Sequence, residues 1–266
     1  QAFAQEDTER ATQLTQENFN SEVPYDPEPG KPFRFGSYTS CGEFTISTGI
    51  SEEQIQRYAR TLSLDSALAT VSFYDNGTNY RREYFISYPH QVMVARFTAD
   101  QKESQSLVLA YAPNPLSHGK YKRQKQEICF NGKLDNNQMR YTVRVKAISK
   151  GGKIWTDKQG RIHVEKANEV MFLIAADTDY KMNFNPDFSN PRTYVSVNPT
   201  ESTQQWMETA SKLSFEELKQ SHYQDYVSLF NRSTLRLNPR WETEAENLPT
   251  PQRLARYRTG APDYGL

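Results

Sequence analysis

Metal binding and nucleophilic catalysis draw on histidine and cysteine, and this sequence has four of the first, at 90, 118, 163 and 222, and two of the second, at 41 and 129. The histidines show no metal-ligand spacing. His163-Val164-Glu165 reproduces the first half of a zinc-deaminase signature, but the Pro-Cys-x-x-Cys of its second half is missing, which excludes that chemistry. No Gly-x-Ser-x-Gly elbow, phosphate-binding loop or dinucleotide fingerprint occurs. Cys41 and Cys129 fall in predicted strands without local catalytic context. They can form one disulfide or none, and a buried structural thiol is what such a position favours. No catalytic residue, metal or cofactor is assigned.

Carboxylates are plentiful, and a pair of them is what glycoside hydrolysis requires. Nearly all lie on polar strand faces or helix surfaces, where solvation is the default. Asp177, Asp179 and Tyr180, directly after the most apolar run, are the best placed to meet a ligand, although turn residues closing a strand are the plainer account. Asp225, Tyr226 and Arg232 are expected to pin a helix to a sheet. Arg81, Arg82, Glu83 and His90 are close in sequence, but strand alternation sends Arg81 and Glu83 to one face and Arg82 to the other, so they are read as solvated sheet surface. Asn76-Gly77-Thr78 and Asn231-Arg232-Ser233 match the glycosylation acceptor pattern.

The elements that must position these residues are mostly strands. Tyr80 to Asp100 reads as two strands joined at Tyr88-Pro89-His90, because Pro89 cannot donate a ladder hydrogen bond. Asn76-Gly77 between apolar runs is a strong hairpin signal, since both residues tolerate positive φ. Further strands are expected at 41–48, 62–64, 106–112, 126–130, 139–148, 154–155, 161–164 and 169–175, with a loop around Pro113, Pro115 and Gly119 and a turn at Asn131-Gly132. That makes about ten or eleven short strands, the pattern of an antiparallel sandwich. The run EVMFLIAA is apolar on both faces and should be central. Helices are predicted over 7–19, 203–213, 215–230 and 252–257, the third opened by a Ser214/Glu217 capping box. Ser233 to Asn238 can return as a strand. The fold class is mainly β, with residues 1–36 as an N-terminal helix and loop, 37–198 as the sandwich, and 199–266 as a helical linker.

Lysine plus arginine equals aspartate plus glutamate, 32 each, so no net field recommends a nucleic acid or an anionic membrane. No apolar run approaches the roughly 20 residues of a membrane helix. Ala2-Phe3-Ala4 imitates a signal-peptidase site, but no charged and apolar regions precede it, so no signal peptide is read.

Several segments, in order, resemble glycoside hydrolase family 95, the α-L-fucosidase family: YRREYFISYPHQVMVARFTAD from Tyr80, EVMFLIAADTDY from Glu169, HYQDYVSLFNRSTLRL from His222 and LPTPQRLARYRTGAPDYGL from Leu248. His90 stands where that family more usually has Asp, and Ser40-Cys41 where it has Pro-Leu. The resemblance implies an N-terminal β-supersandwich of the galactose-mutarotase-like type followed by the start of a helical linker. The (α/α)6 catalytic barrel and its general-acid glutamate lie outside this chain, so no catalytic residue carries over and the chain alone is expected to be inactive. The parent enzyme would hydrolyse terminal α-L-fucose or L-galactose linkages with inversion, in the periplasm or outside the cell. Its partners would be its own barrel and fucosylated glycans. Trp206, Met207, Leu254 and Tyr257 are the candidates for an apolar patch where the barrel packs. The alternative is a stand-alone carbohydrate-binding sandwich, with Asp179, Tyr180, Trp155 and Trp241 as glycan contacts.

Overall fold

A computed structural model describes residues 7–19, 39–135, 138–187, 189–190, 192–234, 248–261 and 263. After helix α1 (Thr8–Phe19) come twelve strands among the described residues: β1 (Gly42–Ser47), β2 (Gln56–Ser63), β3 (Leu68–Asp75), β4 (Thr78–Ser87), β5 (Val92–Ala99), β6 (Gln105–Pro113), β7 (Ser117–Arg123), β8 (Glu127–Leu134), β9 (Arg140–Lys150), β10 (Lys153–Thr156), β11 (Ile162–Ala167) and β12 (Glu169–Thr178). Helices α2 (Pro199–Ala210), α3 (Phe215–Phe230) and α4 (Thr250–Arg258) follow. The strands form an eight-stranded sheet, β2-β3-β4-β5-β12-β9-β8-β7, and a four-stranded sheet, β1-β6-β11-β10. Every pairing is antiparallel.

Local chemistry sets the joints. Asn76 and Gly77 take φ values of 43° and 84°, so the β3–β4 turn has the positive-φ pair that matches strand twist. Tyr88-Pro89-His90 closes the β4–β5 hairpin, where Ser87 pairs with Val92. The capping box of α3 is formed: Ser214 Oγ accepts from the Glu217 amide while the Glu217 carboxylate accepts from the Ser214 amide at 2.7 Å.

Alternation then divides the apolar residues between two cores. Phe97, Leu109, Ile128, Phe130, Val143, Val145, Ile162, Val170 and Phe172 fill the space between the sheets. Phe85, Val94, Met171, Leu173 and Ala175 point out of the other face of the large sheet and are covered by Met207 and Ala210 of α2 and Phe215 and Leu218 of α3. β12 is central, paired with β5 and β9.

Several expectations are corrected. The region after Pro113 is not a loop: residues 117–123 form β7, an edge strand whose polar composition hides it. Asn131-Gly132 is not a turn but lies inside β8, with Gly132 opposite Gly119. A Cβ on Gly132 would come within 2.5 Å of the Tyr141 ring, so packing and not turning requires this glycine. Residues 233–234 are not strand, and the rest of the expected 233–238 strand lies outside the described residues. Glu83 is not solvated. It is 4% exposed, and Lys219 of α3 (3.0 Å), Arg81 (3.3 Å) and Arg96 (3.5 Å) surround it. Arg96 also meets Glu169 at 2.8 Å and Glu216 at 3.1 Å, and its guanidinium lies 4.3 Å from the Phe215 ring. Arg82, on the opposite face, lies over Phe73 and Phe97.

This network and two further contacts hold α3 down. His222 stacks on Phe85 at 4.9 Å and places Nε2 3.2 Å from the carbonyls of Ser66 and Ala67. Tyr226 donates its hydroxyl to the Leu64 carbonyl, the pinning role expected of it.

Burial by itself would raise the Glu83 pKa, but Lys219 and Arg81 outweigh it and hold the carboxyl below its ordinary value. Glu169 is likewise desolvated, yet Arg96 and Lys150 bring it below the ordinary value. Both groups stabilise the fold above their unfolded-state pKa and lose that contribution as pH falls through the lower folded values. Urea unfolding should therefore show stability declining below about pH 4.5. Glu83→Gln, which takes the shared carboxylate from the partly exposed Arg81, Lys219 and Arg96, should cost about 2 kcal/mol at neutral pH and make that decline shallower.

Candidate functional site

A cleft of about 420 Å³ lies on the outer face of the large sheet where β7, β8 and β9 pass the start of α2. Strand alternation builds its floor. Tyr121, Phe130 and Tyr141 turn into the sandwich, so Lys120, Lys122, Asn131 and Thr142 turn outward. His118, Lys133 and Arg140 extend the same surface, and Asn198, Pro199 and Thr200 close one wall.

The polar floor is fixed by one amide. Asn131 Oδ1 accepts hydroxyl bonds from Thr142 at 2.9 Å and Thr200 at 2.6 Å, tying β8 and β9 to α2. Asn198 caps α2, its side chain accepting from the Thr200 amide. Cys129 lies beneath, buried and unbridged; burial raises its pKa and keeps it a thiol. Cys41 is also a free thiol, exposed in β1's approach, so neither is half of a disulfide.

Asp179 meets the cleft only through Arg140 of its lining, and it and the adjacent Tyr180 divide in role. Asp179 is 4% exposed. Its carboxylate takes the Arg140 amide at 3.0 Å and Arg140 Nε at 2.8 Å, and its own backbone bonds Arg140 and Ser196. This is a clamp on the two feet of the 179–198 segment, and it corrects Asp179 as a glycan contact, because its oxygens face Arg140 instead of solvent. Asp177 serves α2, accepting from Ser202 Oγ. Tyr180 is 49% exposed and stacks on Tyr194 at 6.0 Å, so its ring is available.

The remaining candidates lie elsewhere. Trp155, 41% exposed, is on the small sheet and stacks on His163 at 5.0 Å, with His163 held by Asp157 at 2.8 Å. Trp241 lies outside the described residues. Met207 is 2% exposed and packs under α2 against the sheet with Trp206 beside it. That corrects Met207 as part of an exposed patch: the sheet face needs it for its own cover. Leu254 and Tyr257 on α4 are 38% and 56% exposed. Sequence reasoning missed Lys120, Lys122, Lys133 and Thr200. The alternation Lys120-Tyr121-Lys122 could have signalled a strand with a basic outer face.

Over residues 1–183 the sequence matches the family described as glycosyl hydrolase family 65, N-terminal domain. It is 30% identical over 213 residues to "Probable alpha-fucosidase A" of Aspergillus niger, covering 76% of this chain and 26% of that protein. It is 24% identical over 248 residues to "Alpha-L-fucosidase 2" of Arabidopsis thaliana, covering 84% of this chain and 29% of that protein. The chain thus spans little more than a quarter of the length of these relatives.

If Asp179 is a clamp, Asp179→Ala should leave the Arg140 amide without its carboxylate and cost about 2 kcal/mol. Hydrogen exchange should accelerate at the amides of Lys181 and Ser196 well before the strands of the sandwich.

Proposed function

The chain belongs to the glycosyl hydrolase family 65 N-terminal domain family, and from that premise we propose that it serves an α-L-fucosidase-like glycoside hydrolase, of the family 95 type, as a non-catalytic N-terminal β domain. The observation that carries the reading is where the matches fall: on a domain defined as N-terminal, and on about a quarter of two α-fucosidases. In this reading the rest of such a polypeptide, an (α/α)6 barrel, supplies the acid and the water-activating groups that remove terminal α-L-fucose or L-galactose with inversion. The enzyme works in the periplasm or outside the cell on fucosylated glycans.

The chemistry of the cleft agrees with a supporting role. Hydrolysis of a glycoside needs two carboxyl groups flanking the bond, whereas the described residues lining the cleft are cationic, hydroxyl and amide groups. Such a surface holds a ligand and does not cleave one.

The bracing surface is sought among exposed apolar side chains. Among the described residues of the 179–198 segment these are Tyr180, Met182, Phe184 at 94% exposure, Val195 and Val197 at 68%. The segment is stiffened by its own polar side chains: Asn183 donates to Thr193, and Asp187 accepts from Ser189. Apolar groups displayed on a braced loop are the usual mark of a contact surface. Leu254 and Tyr257 remain candidates for the same contact.

The test uses a polypeptide of the relatives' length beside this chain. Phe184→Ser with Val197→Ser should lower the melting temperature of the long polypeptide by several degrees and leave that of the 266-residue chain unchanged. An equal loss in both would make these side chains part of the sandwich itself, and no loss in either would remove the segment from the interface.

A further inference from the structure

We propose that the cleft over β7, β8 and β9 is a binding site for an anionic saccharide, one carrying carboxylate or sulfate groups, read by Lys120, Lys122 and Lys133. The saccharide part of this rests on the glycoside hydrolase reading above; the anionic part rests on charge.

The basic side chains of this surface fall into two sets. Arg140 is paired with Asp179, Arg144 with Glu127 and His118 with Asp135 at 2.7 Å. Lys120, Lys122 and Lys133 have no carboxylate partner among the described residues. Lysine and arginine balance aspartate and glutamate over the whole chain, 32 against 32, so three uncompensated ammonium groups around one cleft are a local excess. The other cationic cluster of the fold, around Glu83, is matched by Glu83, Glu169 and Glu216 and is closed by α3.

Lysines on an edge strand also discourage pairing with another chain. That accounts for Lys120 and Lys122 on β7 but not for Lys133, which sits on β8, paired on both sides by β7 and β9. The three ammonium groups border a cleft whose volume falls within the roughly 300–1,000 Å³ of small-ligand sites. Its floor is pre-ordered. The buried Thr142 hydroxyl donates to Asn131 Oδ1 and fixes it, and the half-buried Thr200 hydroxyl donates to the same oxygen, which leaves the Thr200 lone pairs to accept from a sugar hydroxyl.

The experiment is isothermal titration of the 266-residue chain with oligogalacturonate, a sulfated oligosaccharide, a neutral maltooligosaccharide and poly-glutamate, at about 20 mM salt, where screening is weak. One or both anionic saccharides should bind, the neutral one should not, and added salt should weaken the binding; the two anionic arms show which group is read. Lys120→Ser/Lys122→Ser/Lys133→Ser should reduce affinity at least tenfold, and the matching triple arginine variant should retain it. Lys153→Ser/Lys158→Ser, two exposed lysines at the β10–β11 hairpin, should change nothing. Undiminished binding by the triple serine variant, comparable binding of the neutral saccharide, poly-glutamate binding as tightly as the saccharides, or no binding at all would each overturn the proposal. So would loss of binding in the arginine variant if its melting temperature is unchanged. None of these results bears on whether the longer polypeptide hydrolyses α-L-fucosides, so the two readings fail separately.

Discussion

Met171, Leu173 and Ala175 alternate along β12 with Val170 and Phe172, and all five are buried, so neither face of the eight-stranded sheet can be left in water. The four-stranded sheet covers one side. The other side has to be covered by something, and α2 and α3 do it with Met207, Ala210, Phe215 and Leu218. At about 25 cal/mol per Å² of apolar surface removed from water, exposing that second core would be the largest loss the fold could suffer short of splitting the sandwich. The helices are therefore bound into the β domain by the same strand that organises its sheet. The ionic group at Glu83 follows from this constraint. Arg96 and Glu83 leave the sheet on the helix-facing side, and once α3 lies over them Glu83 is buried and Arg96 half-buried. Lys219, Arg81 and Glu169 then have to complete the balance.

Much of this was readable from residue order where a strand is buried on one or both faces. The EVMFLIAA run, the Asn76-Gly77 hairpin and the Ser214/Glu217 box each act through neighbours in sequence, and each stands in the structure as expected. What escaped depends on neighbours far apart. β7 has too little apolar character to announce itself and exists because β8 offers a ladder on that side. Gly132 resembles a turn residue, yet the Tyr141 ring from the next strand is what excludes a side chain. Glu83 looked solvated because the helix that covers it begins more than a hundred residues later. Asp179 looked free because Arg140, its partner, begins a different strand. The cleft was invisible for the same reason: three lysines on two strands and a threonine on a helix share no sequence window.

Five buried or half-buried carboxylates, Glu83, Glu127, Asp157, Asp179 and Glu169, are committed to cations or amides that hold elements together. Around Asp157, burial is outweighed by His163 and Arg161, which keep the carboxyl far below its ordinary value and so fully ionised, the opposite of what a proton donor requires. Three lysines and the Thr200 hydroxyl border the cleft, a set that can hold a polyhydroxylated anion. A domain of this kind can support and feed a hydrolase without taking part in bond cleavage.

The central claim is that bond cleavage, if it occurs in proteins of this kind, is carried out beyond these residues. Turnover of an aryl α-L-fucoside tests it most directly, measured in parallel on the 266-residue chain and on a polypeptide of the relatives' length. The account predicts release of the aryl group by the longer polypeptide and none above buffer by the chain alone. Turnover by the isolated chain that persists through repurification would contradict it.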